Sequence, residues 1–237
     1  MKNISIINEM AYPSSFNMET FKSIPSFAGR IRYCTEKLGK SIGVGSSRRV
    51  FKIDDEKVLK LAINRKGIAQ NEAECDWFLA KIGLFAKVYD VDDDYRWIEM
   101  QLARKAKASD FKKFFGYSFD VICNYIDYTH SQYTTKKSFF RRNDSYDEMF
   151  DEIRDSDKYY DTVFYMIDNY LTNTSLEAIG DLKRISSWGV VRENGVERLV
   201  LVDYGLNDSV SSEFYNINEN DIKNMVKQVI IKLKDVI

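Results

Sequence analysis

Proline is nearly absent from this 237-residue sequence, with only Pro13 and Pro25, both near the start. Past Pro25 nothing removes a backbone donor or breaks a helix by ring geometry, so long regular elements are open to the chain. Histidine is rarer still. With His130 alone, any metal site or triad that needs two imidazoles is excluded. The three cysteines, Cys34, Cys75 and Cys123, are odd in number, far apart and without metal-ligand spacing. They fit a reducing compartment and a role as small core residues. No apolar run approaches the roughly 18 residues of a membrane span. The opening MKNISIINEMAYPSS also lacks the continuous apolar core of a signal peptide. A cytoplasmic protein with no membrane partner is the expectation. An excess of either charge is missing too, since 35 Lys and Arg stand against 36 Asp and Glu. No overall field draws nucleic acid, which is not expected as a partner. The local cluster of Lys136, Lys137, Arg141 and Arg142 gives way to acidic residues from Asp144 onward and reads as a solvated face.

The residues present are enough to fold. Hydrophobic residues make up 44% of the chain and aromatics 14%, which supplies a packed core in one compact or bilobal unit. Residues 17–37 show loose helical spacing through Phe21, Ile24, Phe27 and Ile31, a lead-in expected to pack on the outside of the segments C-terminal to it. Strand patterning then begins, with one piece through Val50, Phe51 and Ile53 and another through Val58, Leu59, Leu61 and Ala62. Asp54, Asp55 and Glu56 form the turn between them. Alternation along the second piece places Val58, Lys60 and Ala62 on one face and Leu59 and Leu61 on the other. Residues 68–82 carry a helical period closed by Gly83, and two strand-like runs come next, over 85–91 and 95–102.

From about residue 109 to 171 the pattern is mainly helical, with a polar connection over 130–145. Its many Tyr and Phe read as core packing. A last β unit comprises WGVVR, the turn residues Glu193, Asn194 and Gly195, and VERLVLVDYG, where Asn-Gly between apolar strands signals a hairpin. An amphipathic helix is expected over 221–237.

The motifs acquire meaning in succession. IGVGSSRRVF resembles the glycine-rich loop of protein kinases and of small-molecule kinases such as aminoglycoside phosphotransferases. Gly43, Gly45 and Val50 fall on its first glycine, second glycine and valine, and Arg48 stands at the third glycine. Val58-Leu59-Lys60 resembles the strand whose lysine holds nucleotide phosphates and pairs with a helical glutamate. A buried ammonium needs such a partner. Glu72 and Glu74 are the candidates, and Glu74 is preferred because Trp77 and Phe78 lie three and four residues further on. The run 97–102 resembles the strand entering the hinge, where backbone groups meet the adenine edge beneath Val50 and Val58. Asp203-Tyr204-Gly205 resembles the metal-binding D-F-G element. Asp181-Leu182-Lys183 resembles the catalytic-loop D-L-K, with Ser186 at the position of the metal-binding asparagine. Against that stands a plainer reading. Leu176, Ile179, Leu182 and Ile185 recur every three residues, and Thr174 with Glu177 forms a capping-box pattern, so Asp181 could mark only the outer face of a short helix.

The resemblance implies an α+β, kinase-like bilobal fold. A lead-in over 1–37 precedes an N-lobe over 38–103, an antiparallel sheet with one helix. A mainly helical C-lobe with a β-hairpin occupies 104–237, abbreviated relative to protein kinases. It also implies ATP and Mg²⁺ in the cleft. Gly43, Gly45, Ser46, Ser47, Val50, Val58, Lys60 and Glu74 would hold the nucleotide, Asp203 and Ser186 the metal, and Asp181 and Lys183 would act in catalysis. The function expected is phosphoryl transfer to an unidentified protein or small-molecule acceptor. The alternative is an inactive pseudokinase serving as a protein-binding module.

Overall fold

A computed structural model describes residues 12–133, 144–173 and 179–214. The basic cluster at 136–142, the Thr174–Glu177 capping pattern and the helix expected over 221–237 lie outside the described residues.

The lead-in forms two helices, α1 (Met18–Ser23) and α2 (Phe27–Leu38), capped by Asn17 and Ser26 side chains that accept the amides of Thr20 and Gly29. Pro25 separates them. Their buried faces, through Phe21 and Cys34, cover one face of a sheet at Phe51, Leu59, Leu61 and Trp97. That is the outer packing expected of this segment.

The sheet is five-stranded and antiparallel: β1 (Gly43–Val44), β2 (Arg48–Lys52), β3 (Lys57–Ala62), β4 (Val88–Val91) and β5 (Trp97–Gln101), ordered β1-β2-β3-β5-β4. At the β2–β3 turn the Asp54 carboxylate accepts the amides of Glu56 and Lys57, each at 2.7 Å. Along β3 the alternation holds: Leu59 and Leu61 join the outer layer, and Val58 joins the main core with Ile98 and Met100.

The helix expected over 68–82 is two helices. α3 (Arg65–Glu74) stops at Cys75, and a short α4 (Leu79–Ile82) ends at Gly83, left-handed at φ 79°. Between them Asp76 accepts the Phe78 amide, a local alternative to continuing the helix, and Trp77 is 68% exposed.

After β5 the chain passes through Leu102 into β6 (Ala103–Lys105), which belongs to a second sheet. Its other strands are β7 (Trp188–Glu193) and β8 (Val196–Leu201), so the expected hairpin gains a third strand. Asn194 and Gly195 turn it with φ of 51° and 82°, the two left-handed residues that a tight hairpin needs. With this sheet pack α5 (Ala108–Phe115), α6 (Phe119–Tyr133), α7 (Asp147–Arg154) and α8 (Val163–Asn173), while α9 (Asp208–Phe214) packs against α3. Trp188 is the pivot of this lobe, meeting Phe111 and Phe115 edge-on. A second connection joins the lobes beside the hinge: Phe85 pairs with Leu201 as an isolated parallel bridge, with Ala86 N–H donating to the Leu201 carbonyl and Leu201 N–H to that of Leu84. The whole is the α+β arrangement expected, an antiparallel sheet with helices followed by a mainly helical part that carries the hairpin, with one helix broken and one strand added. No helix among the described residues is long and apolar enough to cross a membrane.

Asp110 anchors the start of α5. It accepts both guanidinium nitrogens of Arg104 at 2.8 Å and the Lys107 amide, which hold its carboxyl down at about 2. A carboxyl depressed on folding stabilises above its unfolded pKa, and that stability is lost as pH falls from about 4 towards 2. Asp110→Asn is expected to lose about 1 kcal/mol at neutral pH and to flatten this part of the acid-unfolding curve, read by circular dichroism.

Candidate functional site

A cleft of about 510 Å³ opens between the two sheets, a size suited to a small molecule. Its roof is the turn between β1 and β2, its inner wall β3, and its floor the chain around Asp181 and Asp203.

The roof is fixed to α3. Asn64 caps that helix by accepting the Gly67 amide, and its side-chain amide donates to the Ser46 carbonyl. Lys66 donates to the Ser46 hydroxyl at 3.0 Å, and the Ser47 hydroxyl donates to Gln70. Gly67 is required here, because an added Cβ would overlap the Ser47 carbonyl. Gly45 N–H closes the turn on the Arg48 carbonyl at 2.9 Å.

The inner wall carries a charge cluster. Lys60, 6% exposed, donates to Glu74 at 2.7 Å and to the Val202 carbonyl. Burial pulls its ammonium below the usual lysine range, and Glu74 opposes that pull. Glu74 is the lysine's partner, as preferred over Glu72, which is exposed. The reason differs from the one the sequence suggested. α3 ends at Glu74, so Trp77 and Phe78 share no helical face with it. Its buried face is instead polar, built from Gly67, Gln70, Asn71 and Glu74.

Arg48 was not anticipated as a site residue. Standing at the third glycine position, it turns inward, 6% exposed, and reaches Glu74 Oε1 at 2.9 Å and Asp203 Oδ1. Burial opposes its charge, but Glu74 and Asp203 hold the guanidinium above its ordinary range. The signal available was the arginine itself, a large cation where a phosphate loop normally has no side chain.

On the floor, Asp181 lies in a turn rather than on a helix face and lines the cleft. Trp188 N–H donates to the Leu182 carbonyl at 2.9 Å and ties this turn to β7. Burial and the neighbouring Asp203 carboxylate push the Asp181 carboxyl up to about 6, with Arg184 and Arg48 opposing. Arg184 stands 3.9 Å from it and is a second cleft cation that the sequence did not single out. The amides of Val202 and Asp203 both donate to the Ser187 carbonyl, which sets Asp203 beside the turn Ile185–Ser187.

Gly43, Gly45, Ser46, Ser47, Val50, Val58, Lys60, Asp181, Ser186 and Asp203 therefore converge on one cleft, with Glu74 directly behind Lys60. Lys183 does not join them. Its ammonium pairs with both carboxylate oxygens of Asp127 on α6, one at 2.6 Å, which locks the turn to the helical layer. At the hinge, the Leu102 amide already donates to the Glu56 carbonyl at 2.6 Å and offers nothing to a ligand edge.

No protein-family model matches the chain, and no curated protein matches it. Among solved structures, it is similar to a choline/ethanolamine kinase family protein from Mesorhizobium loti at 16% identity and a TM-score of 0.33, over 70% of this chain and 57% of that one. It is also similar to choline kinase LicA from Streptococcus pneumoniae at 14% identity and a TM-score of 0.35, over 83% and 78% of the two chains. The chain thus spans 57% of the length of the first of these.

The place expected for Mg²⁺ is crowded. Asp203 Oδ1 is taken by Arg48, and a divalent ion on the same carboxylate would stand a few ångströms from the guanidinium. That repulsion amounts to several kcal/mol at an effective dielectric of ~20. Among the described residues, no group of three Asp, Glu, His or Cys side chains is placed to hold a metal. One or two carboxylates with phosphates suffice for Mg²⁺, so it is the guanidinium on Asp203, and not the number of carboxylates, that does not fit the ion.

Proposed function

We propose that this chain is an ATP-dependent phosphotransferase acting in the cytoplasm on a small-molecule or protein hydroxyl. The observation that supports this best is the buried Lys60–Glu74 pair facing Asp181 and Asp203 across the cleft. Val50, Val58 and Met100 line the part of the cleft beside the hinge and suit a flat apolar ring. The turn 43–47, apart from the Gly45 amide already used within it, and the Lys60 ammonium suit the phosphates. Asp181 takes the proton of the acceptor hydroxyl as the hydroxyl oxygen bonds to the terminal phosphorus and ADP leaves.

Asp181→Asn tests this reading. Turnover, measured as ADP release, is expected to fall about 10²- to 10⁴-fold. In the native protein it is expected to fall as pH drops through about 6, where Asp181 gains its proton. Stability runs the other way. A carboxyl raised on folding binds its proton more readily folded than unfolded, so native stability declines as pH rises from about 4 to about 6. Asp181→Asn is therefore expected to gain about 1 to 2 kcal/mol at neutral pH and nothing near pH 4. Full turnover in this variant would remove Asp181 from the chemistry.

A second reading is favoured by one specific observation, the Arg48 guanidinium on Asp203. On that reading the chain binds nucleotide without transferring phosphate and works as a binding module. ATP-induced thermal stabilisation lost in Lys60→Ala, with no ADP release in the native protein against a panel of acceptors, would select it.

A further inference from the structure

The cluster behind the cleft has an unusual composition: two cations, Lys60 and Arg48, share the single carboxylate of Glu74, and Arg48 extends onward to Asp203. The set is balanced, two cations against the carboxylates of Glu74 and Asp203, and its Arg48–Asp203 edge faces the place where phosphate negative charge would gather. We propose that Arg48 is the resident cation of the polyphosphate site, neutralising Asp203 and meeting the phosphates in the position a divalent ion would otherwise take. The chain consequently binds nucleotide without a metal. This rests on the nucleotide-binding reading and deepens it.

Three features carry the inference. Arg48 is built in, held at its base by its place on β2 and at its tip by Glu74 at 2.9 Å, so its orientation exists before any ligand arrives. Its planar fork presents Nη1 to Glu74 and Nη2 to Asp203 at a fixed spacing, a rigid geometry that an ammonium lacks. Asp203, in contrast, keeps 55% of its side chain exposed towards the cleft, so the Arg48–Asp203 contact lies at the cleft surface while the Arg48–Glu74 contact lies behind it. An incoming phosphate that shares or displaces the outer Asp203 contact can therefore reach the guanidinium edge without breaking its inner pairing.

The test is ATP titration by calorimetry, in EDTA and in excess Mg²⁺, on the native chain, Arg48→Gly and Arg48→Lys. The native chain is expected to bind with dissociation constants within about threefold of each other in the two conditions. Arg48→Gly, which restores the glycine of the resembling loop, is expected to bind about 10- to 100-fold more weakly in EDTA and to recover with Mg²⁺. Arg48→Lys keeps the charge without the fork and is expected to fall between them. Mn²⁺ binding without nucleotide, read by electron paramagnetic resonance, is expected only in Arg48→Gly. A native chain that binds ATP at least about tenfold more tightly with Mg²⁺ than without it overturns the proposal and leaves nucleotide binding standing. Equal affinities of the native chain and Arg48→Gly in EDTA also overturn it. Absence of ATP binding by the native chain in both conditions removes the nucleotide reading and this proposal together.

Discussion

Replacing Glu74 with alanine is expected to cost about 3 to 5 kcal/mol, because it leaves two buried cations without their shared carboxylate. For a chain of this length that corresponds to a fall of roughly 10 °C or more in melting temperature, measured by calorimetry. Three separate parts of the chain meet at this one side chain. Oε2 accepts Lys60 of β3, while Oε1 accepts Arg48 of β2 and, at 3.2 Å, the Tyr204 amide. Glu74→Gln keeps the shape and the neutral hydrogen bonds but not the charge, and is expected to recover less than half of the loss. Glu72→Ala is the control. That residue is exposed on the same helix, and its removal is expected to stay within about 0.5 kcal/mol. Should Glu74→Ala melt with the native protein, the charge cluster would contribute nothing to stability.

A comparable loss, again about 3 to 5 kcal/mol, is expected from Asp168→Ala in the helical lobe. The Asp168 carboxylate accepts from Tyr125, from Thr129 at 2.8 Å, from Arg154 at 2.9 and 3.1 Å, and from Tyr159. These donors come from α6, α7 and the turn Tyr159–Asp161, so one anion on α8 joins the whole layer. Its removal strands the Arg154 guanidinium beside the Tyr125 and Tyr128 rings. Burial and the Asp168 carboxylate both push the Tyr159 hydroxyl above its ordinary range, so it remains a donor at any working pH. Asp168→Asn is expected to recover part of the loss. The network lies away from the cleft, and ligand binding well below the melting transition is expected to be unchanged in both variants. A cleft weakened as much as the fold would place Asp168 in the site after all.

The placement of the residues in the N-terminal half of the cleft was legible because their signals were local. Alternation on β3 assigned Lys60 its face, and Asn194-Gly195 announced its hairpin. Where the outcome depended on distant partners, the sequence was silent. β6 is three residues long and becomes a strand only because β7 accepts it. The break after Glu74 comes from Asp76 competing for a local amide, a choice invisible in a period that runs on towards residue 82. Arg48 read as a defect in a glycine loop, and of its two carboxylate partners Asp203 lies 155 residues away in sequence. Lys183 matched a motif letter for letter, yet Asp127 on a helix of unrelated pattern claims it.

The bridge between Phe85 and Leu201 has a kinematic consequence. Two bodies tied at one point swing freely, but two bodies tied at two points rotate only about the line through them. The hinge at Leu102 and the bridge at Leu201 supply those points. The contacts of Lys60 with Val202, Glu74 with Tyr204 and Arg48 with Asp203 lie off that line, so they brace the two parts against rotation about it.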